Sequence, residues 1–493
     1  MCLQENITPK NTAKMSNAKR FAKNVIWKFL EVISVSGIQL ICTFILARFL
    51  TPNDYGIMGM VLIFSILSNT IIASGFGQAL IREKEVTEID YSTIFYTNTI
   101  LSIIIYTLLY IVSPYIAVFY DKPILTNVCR VTFIALPLNA ISLVQNTILQ
   151  KEMRFKKLFL ISLIASVISS IVAIIIANIY RNIWALVIQN LLTYIIKAFL
   201  FWITTDFIPI IRFSFDSLKK YFAFSKNILI GGIIGAIFNN IHSLVIGKAY
   251  SATELGFYSQ ALRIYNLGSH TTTQVIQSVS YPIISRINNE NNDIKNGYKK
   301  IIGVTLIFVG LVMALFMGCS QNLFELLMGS EEWRTAGLFF LLIGIDGILY
   351  PLHSINQNIL MVKGKSDVIL YLEIARRAIM IAILAITLQF NIKYFVFGQS
   401  IYSIILLFIN LYFCGKPINY TLKEQIKDTM PIFARLAATI IIANIVGYLL
   451  QDVHLIIRVV AAMTTTVISS GILFWKQKDF QNMTLLLGSF IKK

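Results

Sequence analysis

The chain is short of charge. Of its 493 residues only 13% are Asp, Glu, Lys or Arg, about half the ~25% usual in a soluble domain. A water-facing surface of matching size cannot be built from so little. Metal-ligand and disulfide-framework spacings are missing as well: the five cysteines (Cys2, Cys42, Cys129, Cys319, Cys414) are odd in number and far apart. No connection between apolar blocks is long enough for a soluble domain. The polar, basic first 20 residues hold no short apolar core with a small-residue cleavage site, so no removable signal peptide is expected. The formal charge of +18 is scattered between apolar blocks. Nucleic-acid binding needs it gathered with aromatics on one solvated module, and no nucleic-acid partner is expected.

What the chain has is hydrocarbon: 56% of residues are hydrophobic and the mean hydropathy is +0.72. A transmembrane helix needs about 20 predominantly apolar residues. Fourteen windows qualify, at 25–47, 56–79, 92–112, 125–149, 158–178, 183–204, 221–247, 255–284, 301–319, 336–361, 367–388, 394–414, 429–450 and 454–475. The sequence therefore reads as an all-α polytopic membrane protein. Lys and Arg orient it, because short loops rich in them stay cytoplasmic. Alternate segments beginning with the N-terminal tail hold 28 of the 42 basic residues, and the opposite loops hold six: Arg48, Lys122, Arg181, Lys248, Arg334 and Lys393. Both termini are expected in the cytoplasm. The basic excess is thus a topology signal and says nothing of a ligand.

A short word repeats. Arg48, Thr51, Asp54 and Gly56 follow the first span, and Lys248, Ser251, Glu254 and Gly256 follow the seventh, at an offset of 200 residues. Asn146 to Leu149 and Gln357 to Leu360 give a weaker echo before basic cytoplasmic loops. Six spans separate the copies, so both insert with one polarity, and the repeat is parallel. The expected organisation is a tail at 1–24, a six-helix lobe at 25–212, a second at 213–415, and two further helices with a tail at 416–493. Two such lobes facing a central space suit alternating access around a shared site.

Candidate lining residues are polar groups at membrane depth, which must face protein or water. On the eighth span Ser259, Arg263, Asn266, His270, Gln274 and Gln277 recur at steps of three and four, one face of a helix. The seventh span offers Gly231, Gly235, Asn239, Asn240 and His242, where glycines would allow close helix approach. His242 is expected level with Arg263, about 10 Å below the outer surface at about 1.5 Å per residue. Arg263 is the costliest of these and so the strongest pathway marker. The first span adds Lys28, Glu31, Gln39 and Thr43, with Lys28 and Glu31 spaced to pair across one turn. Glu373, Arg376 and Arg377 are spaced likewise. Glu31 and Asp346 are the candidate acids for coupling to H+ or Na+, and no other cofactor is expected. With Lys226 and Asp367 counted to the span ends, eight bases against three acids within the spans make an interior that favours anions such as a phosphate headgroup.

Six stretches carry a family resemblance: Leu46 to Gly56, Gly75 to Leu80, Gln150 to Lys157, Trp184 to Val187, Leu255 to Ala261 and Tyr281 to Arg286. In this order they resemble the polysaccharide-transporter family, the Wzx-like flippases of the multidrug/oligosaccharidyl-lipid/polysaccharide exporter (MOP) superfamily, nearest the colanic-acid type. The resemblance implies a bacterial inner-membrane protein moving undecaprenyl-diphosphate-linked oligosaccharide to the outer leaflet. Spans 1, 2, 7 and 8 would line its cavity, and membrane lipids, a polysaccharide polymerase and chain-length machinery would be its partners. The family commonly carries an acid on the seventh span where this chain has His242. A multidrug antiporter on the same fold is the first alternative, expected to show acids in the cavity. A membrane glycosyltransferase or acyltransferase is the second; it needs a carboxylate or histidine cluster in a sizeable loop, and the sequence has none.

Overall fold

The computed structural model describes residues 9–289, 293–477 and 480–481; Cys2, Lys478, Lys492 and Lys493 lie outside them. Among the described residues every regular element is helical, and their contacts gather into two units, Met1–Lys248 and Ala249–Lys493.

The first unit contains α1 (Pro9–Leu46), α2 (Pro52–Ala73), α3 (Phe76–Arg82), α4 (Glu88–Phe119), α5 (Leu125–Thr132), α6 (Ala135–Lys151), α7 (Phe155–Tyr180), α8 (Trp184–Thr204) and α9 (Phe215–Ala249). α1 starts well before the expected span because no Pro or Gly interrupts the basic segment ahead of it; its membrane-compatible part is Ile26–Leu46. α1 packs on α7, α7 on α8, and α4 on α5 and α6. The second span is broken into α2 and α3. Ser74 and Gly75 both take left-handed backbone, with φ of 46° and 74°, and a Cβ on Gly75 would lie 3.0 Å from Ile228 of α9. Glycine takes position 75 of that corner without strain. Beneath it Phe76, Leu80, Ile94, Phe95, Val144 and Tyr221 form an apolar core.

α9 is bound to this unit at its two ends. At its N-terminal end Tyr221 is buried in that core, Lys220 pairs with Glu83 at 3.1 Å, and Arg82 lies 4.5 Å over the Phe224 ring. At the other end Lys248 Nζ donates to Phe119 O at 2.5 Å and lies 3.7 Å from Asp121. The middle is thinly packed, and only 11% of its apolar window is buried.

The second unit contains α10 (Ala252–Tyr265), a π-helical turn (Asn266–Thr271), α11 (Thr272–Asn289), α12 (Ile294–Met317), α13 (Ser320–Met328), α14 (Arg334–Val362), α15 (Ser366–Thr387), α16 (Ile392–Gly415), α17 (Leu422–Leu449) and α18 (Leu455–Phe474). α14 is its axis: 67% of its apolar window is buried, against α10, α12, α13 and α16. Small residues let it in. A Cβ on Gly337 would stand 2.5 Å from the Cα of Gln321 at the start of α13.

Among the described residues twelve helices are long and apolar enough to cross a membrane. The two other expected spans, 255–284 and 367–388, are helical but fall short on polarity. The first is the striped segment with its π turn, and the second, α15, carries Asp367, Glu373, Arg376 and Arg377. Ile103, Ile104, Leu108, Ile111 and Val118 on α4 are exposed, as lipid-facing side chains are.

Candidate functional site

The repeated word is a helix start, made twice. Thr51 caps α2: its Oγ1 accepts the Asp54 N–H at 3.4 Å, while Asp54 Oδ2 accepts the Thr51 N–H at 2.9 Å. Ser251 caps α10 by accepting the Glu254 N–H at 3.1 Å. A hydroxyl three residues ahead of an acid satisfies otherwise orphaned donors of a first turn; Asp54 closes the box with its carboxylate, whereas Glu254 contributes only its backbone N–H. Gly56 and Gly256 are buried in those first turns. Arg48 is exposed, and Lys248 makes the ties described for α9.

In the first unit, Lys28 and Glu31 pair at 2.9 Å, and Glu31 also accepts from Ser162 of α7 at 3.1 Å. That carboxylate joins α1 to α7. Gln39 is exposed on α1, and its backbone oxygen takes the Thr43 hydroxyl at 2.8 Å. Asn239 is exposed on α9, Asn240 donates to Ala236 O at 2.8 Å, and His242 is buried. The expected close approach at Gly231 and Gly235 is not made: a Cβ on either would meet nothing within 4 Å.

In the second unit the stripe survives as one face. Arg263, Asn266 and Gln274 are exposed, with Ser259 and His270 half-buried between them. The π turn sits in the middle of this face. Such a turn inserts a residue into an α-helix and recurs at functional sites. Here it widens the backbone where Ser269 Oγ reaches Gly347 O of α14 at 2.6 Å. His270 is held by Gln274 at 3.3 Å and by the Tyr350 ring, centroids 5.1 Å apart. Gln277 turns to Ser354 O at 3.2 Å. The upper part of the row is thus a polar face open to its surroundings, and the lower part is fastened to α14.

Asp346 is buried behind that face. Tyr265 Oη and Gln399 Nε2 donate to its Oδ2 at 2.7 and 2.8 Å, and no base lies within ion-pair distance among the described residues. Glu373 pairs with Arg376 at 2.6 Å and with Arg377 at 3.5 Å, as the spacing predicts. Sequence reasoning missed His353, which bonds Ser403 and Asn410 of α16. The signal was present as the series Asp346, Tyr350, His353, Gln357 at helical steps, hidden within an apolar helix.

A polysaccharide biosynthesis protein profile matches residues 45–337, more than half the chain. Among curated proteins, it is similar to the teichuronic acid biosynthesis protein TuaB of Bacillus subtilis (strain 168), 24% identical over 72% of this chain and 74% of that one. The lipopolysaccharide biosynthesis protein WzxC of Escherichia coli (strain K12) is 20% identical over 72% of each. Among solved structures, the lipid II flippase MurJ in an inward closed conformation superposes with a TM-score of 0.69 at 15% identity, over 91% of this chain and 99% of MurJ. An inward-facing multidrug resistance MATE family transporter of the MOP superfamily gives 0.62 at 14% identity, over 80% and 99%. At these identities the structures speak for the fold.

Proposed function

Since the chain belongs to the polysaccharide biosynthesis protein family of Wzx-like MOP transporters, we propose that it carries an undecaprenyl-diphosphate-linked oligosaccharide repeat unit from the cytoplasmic to the outer leaflet of a bacterial inner membrane. It is a multi-pass transporter and not an enzyme. Alternating access between lobes at 25–212 and 213–415, with fourteen spans and both termini cytoplasmic, completes the proposal. The product would feed O-antigen, capsule or exopolysaccharide synthesis, with a polymerase and chain-length machinery downstream.

The observation that carries this reading is the exposed row Arg263, Asn266, Gln274 on the polar-striped segment of α10, the π turn and α11, which we place at membrane depth. A guanidinium in hydrocarbon costs several kcal/mol, roughly 2.5–3.5 on insertion scales, so an exposed arginine there favours a watery or anionic setting. A diphosphate satisfies an arginine bidentately, and amides supply both donors and acceptors for sugar hydroxyls. A cation-coupled multidrug antiporter would want acids there, and the row has none.

Arg263→Ala is expected to abolish surface polysaccharide while the protein still reaches the membrane at wild-type level; Arg263→Lys keeps the charge but not the fork and should retain part of the export. Normal polymer from Arg263→Ala would end the role assigned to that residue.

A further inference from the structure

The first unit holds a cavity of about 180 Å³ between α3, α4 and the last turns of α6. Five polar side chains line it: Gln78, Asn98, Asn146, Thr147 and Gln150. Leu80, Ile94 and Val144 supply aliphatic wall, and among the described residues no charged or aromatic side chain lines it. Asn98 is the member that a packed core would not keep. It is 2% exposed, ten residues into α4, and its Oδ1 meets no hydrogen-bond donor among the described residues. A buried amide oxygen left unpaired is destabilising, and such groups are rare enough to need a reason.

Its polar neighbours are arranged but not used up. Gln150 Nε2 donates to Asn146 Oδ1 at 3.1 Å, which leaves the Asn146 amide nitrogen to donate and Gln150 Oε1 to accept. Thr147 gives its hydrogen to Leu143 O at 2.8 Å and keeps lone pairs for a donor. The walls are fixed independently of any ligand. Lys151 Nζ reaches from α6 to Leu80 O at 3.1 Å and Glu83 O at 2.8 Å, pinning α3 to α6. Arg82 lies over the Phe224 ring, so both flanking bases are engaged elsewhere. Gly77 keeps the space open, because a Cβ there would stand 3.0 Å from Thr147 Oγ1.

Size and neutrality narrow the ligand. A volume of about 180 Å³ is room for roughly six waters at about 30 Å³ each, well under the ~300–1,000 Å³ of drug-sized sites. A single monosaccharide ring suits that scale, and a diphosphate would find no base. Amides and a hydroxyl supply the mixed donors and acceptors that ring hydroxyls need, while the aliphatic wall meets the C–H face of the ring.

We propose that this cavity is a binding subsite for one neutral sugar ring of the carried glycan, with Asn98 Oδ1 accepting from a ring hydroxyl; the sugar as ligand rests on the transport proposal above. On the proposed topology the cavity lies toward the cytoplasmic side, where loading takes place. Without an aromatic platform binding is weak, which suits carriage, since a site that passes its cargo on must also release it.

Full-length protein in lipid nanodiscs is titrated with glucose, galactose, N-acetylglucosamine and glucuronate and followed by saturation-transfer NMR. At least one neutral sugar is expected to bind with a millimolar Kd, and glucuronate about tenfold more weakly, because nothing in the cavity compensates its charge. Asn98→Leu should weaken the neutral sugar about tenfold while leaving Tm unchanged or higher, since it removes an unpaired amide. An asparagine with a merely structural role would give the reverse, a lower Tm with binding intact. Gly77→Ala, which sets a methyl group beside Thr147, should weaken binding as well. Failure of every neutral sugar to bind, glucuronate binding equally well, or binding undiminished in either variant would overturn the proposal. A gene deletion separates this result from the transport reading. Surface polysaccharide lost on deletion, with no sugar bound by the protein, removes the subsite and leaves the transporter. Sugar bound, with polysaccharide untouched by deletion, removes the transport reading and leaves the pocket.

Discussion

At Gly337 the chain has no room for a methyl group. The added Cβ would face the backbone of Gln321 and the Ser320 carbonyl at 2.5 to 2.6 Å, and backbone cannot swing aside as a side-chain tip can. Gly337→Ala is therefore expected to cost about 1–3 kcal/mol, the usual range for overpacking, seen as a lower Tm of the detergent-solubilised protein. Gly231 gives the opposite result. Nothing lies within 4 Å of its Cβ position, so Gly231→Ala should leave Tm unchanged or raise it, since a helical Gly costs roughly 0.5–1 kcal/mol against Ala. The two glycines look alike in sequence, and only the neighbouring element separates them. The same holds for the acids. The i, i+3 spacing made the Lys28–Glu31 pair readable, whereas Asp346 had no local partner to read. Its partners come from α10 and α16, more than fifty residues away in one case and eighty in the other.

Among elements, helix starts were the most legible, because capping is local. Hydroxyl, two residues, acid: the word is written at Thr51 and Ser251, and again at Thr87 and Thr421. Thr51→Ala and Ser251→Ala are each expected to cost about 0.5–2 kcal/mol and to lower Tm without abolishing polysaccharide export, which separates a capping role from a ligand-binding one. Helix breaks were not legible. The second span reads as one apolar run, yet it turns through the left-handed backbone of Ser74 and Gly75, against which Ile228 of α9 packs closely. The π turn was invisible as well: polar residues at steps of three and four describe a face whether or not one residue is inserted. The polar stripe still located that helix and the charge spacing located α15, although both are too polar to meet the hydropathy test for a span.

On the scale of the whole molecule the loop charges and the sulfur atoms make a joint test. Fluorescent-protein fusions that mature only in the cytoplasm should be bright at both termini, with an even number of crossings between them. Cys42, Cys129, Cys319 and Cys414 are buried thiols, so a membrane-impermeant maleimide should leave all four unlabelled. Single cysteines placed at Lys122 or Arg181 should react from outside intact spheroplasts. Labelling at those positions only after lysis would invert the orientation.

The attachment of α9 has a mechanical corollary. A rod pinned at both tips and slack along its length answers a sideways push by bowing, and it springs back because neither pin has been lost. Lys220 with Glu83 and Lys248 with Phe119 and Asp121 are among those pins, beside the buried Tyr221; cutting one would soften that tip and deepen the bow.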